Sequence, residues 1–207
     1  MTELDWAKSI VGKADFPVVL ELGAHHGNDT VEIYDACGKE PLYVAVEADP
    51  RNVPLLVNRL ETRRVFCVHA AIAAECGVAT LYLSSGHEGS GSSSIRMPKA
   101  HLEHFPGIMF VSRVHVPALT LDALAERYGA TTGADLIWCD IQGAERDMIL
   151  GGAQTLRKSQ YLLCECDRIE MYEGQALRDE LLEMLPDWEL IDEWPDNANL
   201  LLRNRCA

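Results

Sequence analysis

The chain has 207 residues, 48% hydrophobic and 24% charged, a balance that excludes long disorder or a fibrous repeat and suits one domain. Eighteen Lys and Arg stand against 32 Asp and Glu, a formal net charge of -14 that repels phosphate backbones, so no nucleic-acid partner is expected. No apolar run approaches the roughly 20 residues that span a bilayer, so no membrane partner is expected either. The opening residues, Met1 to Trp6, lack the basic and apolar regions of a secretory signal. The seven Cys include no C-x-x-C pair, and buried free thiols in a reducing, cytoplasmic setting are the expectation.

Short apolar runs alternate with amphipathic stretches, the pattern of a mostly parallel sheet flanked by helices. Leu4, Ala7, Ile10 and Val11 predict a leading helix, and residues 16–21 a first strand that runs into a glycine turn at 23–27. A helix over 28–36 follows, then a strand over 42–47 and a helix after Pro50. Strands are predicted over 65–69 and 78–83. Residues 84–94 hold six Ser and three Gly and read as a mobile loop. Beyond it come a strand over 110–116, a helix capped by Thr120, a strand over 134–140 and a helix over 144–156. A strand over 161–165, a helix over 175–185 and a hairpin of 188–194 with 199–203 close the sequence. No repeat or linker divides it.

Ligands of doubly wound sheets bind at the carboxyl ends of the strands. There the first strand gives Glu21-Leu22-Gly23-Ala24-His25-His26-Gly27, a turn whose two glycines permit close backbone approach. It is not G-x-G-x-x-G, the dinucleotide fingerprint. The second strand ends in Glu47, an acid placed to accept both hydroxyls of a ribose. A carboxylate at Glu21 would repel a pyrophosphate and suits a cationic sulfonium ligand with an amino group. Charge therefore favours S-adenosylmethionine over a nicotinamide cofactor.

The run from Glu21 to Thr30 resembles the first motif of the FkbM family of S-adenosylmethionine-dependent methyltransferases. The resemblance continues at Val46-Glu47-Ala48-Asp49-Pro50, at His69-Ala70-Ala71-Ile72 and at Leu119 to Leu124. It is strongest at Leu136-Ile137-Trp138-Cys139-Asp140-Ile141-Gln142-Gly143-Ala144-Glu145, continued by Leu150-Gly151-Gly152-Ala153, and it covers roughly residues 17–203. It implies an α/β, Rossmann-like, seven-stranded class I methyltransferase sheet, with a C-terminal antiparallel hairpin, in a single domain over 1–207. The implied cofactor contacts are Glu21, Gly23, Ala24, His25, His26, Gly27 and Thr30 around the methionine part. Glu47 and Ala48 would hold the ribose, Ala71 the adenine, and Asp140 the amino group or the substrate.

Two departures from the family pattern stand out. His25 and His26 replace an Asn and an aliphatic residue, and Gln142 replaces the first Glu of an Asp-x-Glu-Gly-x-Glu run. Gln142 keeps the size but loses charge and basicity. The implied reaction is O-methylation of a small-molecule hydroxyl, on a natural product or a sugar, neutral or basic rather than anionic. Candidate bases are Asp140, Glu145 and His87. Ser93, Ser94, Gln142 and Glu165 are candidate substrate contacts, and residues 84–106 are expected to form a substrate lid. An oxygen-rich metal site from Asp140, Glu165 and Asp167 is the weaker reading beside a solvated or substrate-facing pair. His101 and His104 are expected at the surface. A homodimer is one assembly that this sequence admits. The competing readings are a non-catalytic module that kept the cofactor pocket and, further off, a nicotinamide-dependent oxidoreductase.

Overall fold

The computed structural model describes residues 1–86, 90–196 and 198–207. Helix α1 (Glu3–Val11) begins at a capping box, in which the Thr2 hydroxyl accepts from Asp5 N and Asp5 accepts from Thr2 N. Strand β1 (Val18–Leu22), helix α2 (Asn28–Ala36), strand β2 (Leu42–Glu47), helix α3 (Val53–Arg59) and strand β3 (Val65–His69) build the first half of the sheet. All three strands run parallel, with side chains alternating between two apolar layers. Leu20, Leu22, Val44 and Val46 face one layer, and Val19, Tyr43 and Ala45 face the other.

The second half comprises helix α5 (Leu121–Tyr128), strand β7 (Leu136–Cys139), helices α6 (Glu145–Leu150) and α7 (Ala153–Lys158), strand β8 (Tyr161–Glu165), helix α8 (Arg178–Met184), and strands β9 (Trp188–Trp194) and β10 (Asn199–Asn204). Between the halves lie β4 (Ala71–Ile72), β5 (Gly77–Gly86), α4 (His101–His104) and β6 (Ile108–Leu119). The main sheet has the order β3-β2-β1-β7-β8-β10-β9, with β10 antiparallel to both its neighbours. This is the seven-stranded arrangement that the resemblance implies.

Several expectations are corrected in detail. The strands predicted over 78–83 and 110–116 do not join the main sheet. They lengthen into β5 and β6 and form a separate sheet of order β4-β6-β5. The helix predicted over 144–156 breaks at Gly151 and Gly152. A Cβ on Gly151 would lie 2.6 Å from the Ala73 carbonyl oxygen, and one on Gly152 would lie 2.7 Å from that of Met148. Asp122 then caps the new start, accepting from Thr155 N at 2.8 Å and from the Thr155 hydroxyl at 2.7 Å. The serine-rich loop is shorter than expected, because Ser84 and Ser85 lie in β5 and Ser94 bridges back to Tyr82. His101 is buried, not at the surface, and packs its ring against Phe105, Phe110 and Tyr172. The strand predicted from residue 16 starts at Val18, leaving Phe16 exposed. No helix among the described residues is long and apolar enough to cross a membrane.

The turn after β1 depends on one close approach. Gly23 adopts φ +91°, and a Cβ there would stand 1.7 Å from the Asp140 carbonyl oxygen at the end of β7. Both the left-handed backbone and the contact exclude a side chain. Gly23→Ala is therefore expected to lower the unfolding free energy by more than about 2 kcal/mol, read as a reduced urea midpoint. An unchanged midpoint would mean that β1 and β7 do not meet this closely in solution.

Candidate active site

The carboxyl ends of β1, β2 and β7 open onto one cavity. From β1 it takes Glu21, and from the turn Gly23, Ala24, His25 and His26. The turn is fixed by two backbone bonds, Gly23 N and Ala24 N each donating to the Val46 carbonyl at 2.9 Å. His25 sits at φ +48°, with its ring stacked on His26 at 3.7 Å between centroids. From β2 the cavity takes Glu47 and Ala48. Its apolar flank is Ala70, Ala71, Ile72, Leu81 and Ile95.

The acids differ in how they are held. Glu21 is 1% exposed and accepts from the Tyr43 hydroxyl at 2.7 Å. Burial pushes its carboxyl up to about 7, against the bonding that favours the ion. Glu47 accepts from His25 N and Asp49 N, each at 2.7 Å, one at each oxygen, and Asn52 adds a longer bond of 3.3 Å. Burial raises its carboxyl as well, although these backbone donors oppose the shift. The result is a rigid acid with a lone pair to spare, turned toward the cavity.

At the far side stands a polar wall. Asp140 follows β7, Glu165 ends β8, and the side-chain amide of Gln142 donates to both at 2.7 Å. Beyond it lies a second cavity that includes Glu165, Asp167, His101, Phe105 and Tyr172. Gln142 contributes to both cavities. Burial, then the neighbouring Asp140 charge, hold the Glu165 carboxyl well above the ordinary range.

Other predicted residues fall elsewhere. Gly27 caps α2 at φ +76° without lining the cavity, and Thr30 is buried beneath the turn. Glu145 is 2% exposed and lines neither cavity; it accepts from Gly143 N at 3.2 Å and burial raises it to about 8. Glu145 thus lies behind the lining of both cavities, away from the place where the sequence put a candidate base. Ser93 lies on the first cavity and not the second, and its hydroxyl donates to Asp49 at 2.8 Å. Ser94 is buried and donates to the Gln142 carbonyl at 2.6 Å. Both serines brace the site. His87 lies outside the described residues. Among those described, no group of three His, Cys, Asp or Glu is placed to hold a metal ion.

Some lining residues carried no signal in the sequence. Asn52 accepts from His26 Nε2 at 3.1 Å and also bonds the Ser90 hydroxyl, joining the turn to the segment beyond β5. Tyr172 reaches Gln142 from a stretch without periodicity. Asn28 and Asp29, inside the first motif but not among the contacts it implied, also line the first cavity.

A family model, the methyltransferase FkbM domain, matches residues 21–194. The chain belongs to the FkbM methyltransferase family. A curated relative, the 2-O-methyltransferase NoeI of Sinorhizobium fredii (strain NBRC 101917 / NGR234), is 34% identical over 205 residues, spanning 95% of this chain and 82% of its own. Among solved structures, the FkbM methyltransferase of Methylobacillus flagellatus KT superposes with a TM-score of 0.57 at 15% identity. That match covers 91% of this chain but only 44% of the other, so the present chain spans less than half its length. Fibrillarin of Aeropyrum pernix, solved with natively bound S-adenosyl-L-methionine, gives a TM-score of 0.50 at 16% identity, covering 96% and 73% of the two chains. At these identities the structures establish that the FkbM family chain shares their fold.

The buried acids make stability depend on pH. Glu21 rises from an ordinary 4.5 to about 7 on folding. Within that window the folded chain keeps a proton that the unfolded chain has released, so stability falls as pH rises through it. Glu145 extends the fall to about 8. Glu21→Gln is expected to flatten the lower part of this decline and to gain up to roughly 3 kcal/mol at the alkaline end, measured by urea unfolding across pH. Equal slopes in the two proteins would show that Glu21 titrates normally.

Proposed function

We propose that this chain is an S-adenosylmethionine-dependent O-methyltransferase acting on a hydroxyl of a small neutral or basic molecule, such as a natural product or sugar. The observation that carries the reading is a pair of cavities, one lined by Glu21, Gly23, Ala24, Glu47 and Ala71, the other across the wall of Asp140, Gln142 and Glu165. The 34% identity to a protein named as a 2-O-methyltransferase supports a hydroxyl acceptor.

The residues present fit the cofactor. Each Glu47 oxygen accepts one backbone N–H; Oε1 also takes the longer Asn52 bond, and Oε2 keeps a lone pair that suits a ribose hydroxyl. Ala71, Ile72, Leu81 and Ile95 offer a flat apolar slot for an adenine ring. A cationic amino or sulfonium group beside Glu21 would draw its carboxyl into the ionised form, so binding and proton release are coupled there. When bound, S-adenosylmethionine supplies an electrophilic methyl group carried on a sulfonium centre.

The protein's part is to position the acceptor and to take a proton. Asp140 lines the first cavity, so a hydroxyl that reaches past Gln142 from the second would face its carboxylate, which accepts the proton as the oxygen attacks. Alignment of the two reactants supplies much of the acceleration. Residues 90–106 carry walls of both cavities, with Ser90 and Ile95 on one and His101 and Phe105 on the other. This supports a lid that excludes water within the 84–106 expected from the sequence, of which 84–86 belong to β5. Free thiols at all seven cysteines suit a reducing cytoplasm, with Cys139 and Cys164 side by side in β7 and β8.

Isothermal titration with S-adenosylmethionine and with NAD tests the reading. Binding of the first is expected, weakened about tenfold or more by Glu47→Ala, which removes the ribose acceptor. Tight NAD binding alone would overturn it. Release of S-adenosylhomocysteine on adding a mixture of hydroxyl acceptors separates an enzyme from a binding module.

A further inference from the structure

Gln142 occupies a position that its own chemistry does not favour. Its backbone is left-handed at φ +52°, a conformation that costs a non-glycine residue about 1 kcal/mol. Gly143 follows at φ +91°, where a Cβ would press on the Tyr172 ring at 3.0 Å. Strain of this kind persists only where the surroundings over-determine it. Here they do so at each polar atom of the residue beyond its own N–H. The carbonyl accepts from the buried Ser94 hydroxyl at 2.6 Å, and the side-chain oxygen accepts from the Tyr172 hydroxyl at 2.8 Å. With its oxygen turned to the Tyr172 hydroxyl, the amide directs its two N–H bonds at Asp140 and Glu165. Tyr172 is fixed in turn, because its hydroxyl also lies 3.0 Å from the Ser92 carbonyl and its ring packs on His101 and Phe110.

We propose that Gln142 is a positioning residue whose amide, oriented by Tyr172, holds Asp140 and Glu165 as one proton-sharing pair and presents Asp140 to the acceptor hydroxyl. This rests on the methyl-transfer reading for the acceptor and deepens it. Two acids gathered at neighbouring strand ends repel each other when both are ionised. Burial and this repulsion drive the more enclosed Glu165 toward its protonated form, and Asp140, on the first cavity, is the acid presented to the acceptor. Two N–H donors from a neutral side chain keep both acids in place without adding a charge. A carboxylate at position 142 could do neither. Other titratable groups face the pair from every side: Glu145 below it, Asp167 beyond β8, Tyr172 above, Asp29 and His25 from the cofactor side, and the Cys139 and Cys164 thiols beneath. Among these the acids reinforce retention of a proton.

The test is carboxyl-carbon NMR of the full chain without cofactor, labelled at Asp and Glu side chains and titrated across the neutral range, with Glu165→Gln used for assignment. In the wild type, the Glu165 carbon and the Gln142 side-chain N–H resonances are expected to shift together with one midpoint, because the amide senses the pair's proton. Gln142→Met keeps the size and removes both donors, and is expected to raise the Glu165 midpoint by about one pH unit. Gln142→Glu is expected to raise it further and to add a second high-titrating carboxyl. Gln142 amide resonances that do not respond to pH would overturn the proposal in the wild type alone, even if neither variant folds. An unmoved Glu165 midpoint in Gln142→Met would overturn it too. Because no cofactor is present, failure to bind S-adenosylmethionine would count against the proposed function and would leave the coupling itself intact.

Discussion

The end of β1 lies against the end of β7 with no room between Gly23 and the Asp140 carbonyl. Everything at the site follows from that contact. It turns the chain toward β2, where Gly23 N and Ala24 N both reach the Val46 carbonyl. It also sets the backbone of Asp140, so the first acid of the wall is positioned by the same glycine that shapes the cofactor turn. One missing side chain thus couples the two ends of a strand-order reversal, the place where ligands of such sheets bind.

The formal charge of -14 overstates the charge of the site. Glu21, Glu47, Glu145 and Glu165 all titrate above the ordinary carboxylate range because the sheet buries them near one another. Burial thus biases these acids toward their protonated forms and away from a full cluster of anions. Under the proposed function, a cationic group beside Glu21 would bind by displacing its proton, a local and selective attraction. Long-range attraction has to come from the exposed acids of the surface.

The main sheet was legible because its strands are continuous apolar runs: 42–47, 65–69, 161–165 and 188–194 fall where β2, β3, β8 and β9 lie. The glycine turn and Glu47 were legible because a strand end is a chemical address. The small sheet was not, since β5 and β6 differ from main-sheet strands only in their partners, and partnering is a tertiary property. The break at Gly151 was hidden for a similar reason: the helix yields to Ala73 and Thr120, neither of which is near it in sequence. Ser93, Ser94 and Gln142 read from the sequence as candidate substrate contacts. Their roles as braces depend on Asp49, Tyr172 and Glu165, which come from other elements. Burial of His101 likewise needed an aromatic nest gathered from β6 and the segment after β8.

The antiparallel strand β10 lies between β8 and β9, yet it is made after both of them. Its residues Leu200, Leu201 and Leu202 are buried on the two faces of the sheet. During synthesis, β9 emerges with no neighbour to pair with, and β8 exposes an open edge. The half of the sheet that carries Glu165 can close only when the final segment threads between them. β8 thus gains its second neighbour only from a strand made after β9, a non-local pairing of the kind that slows folding.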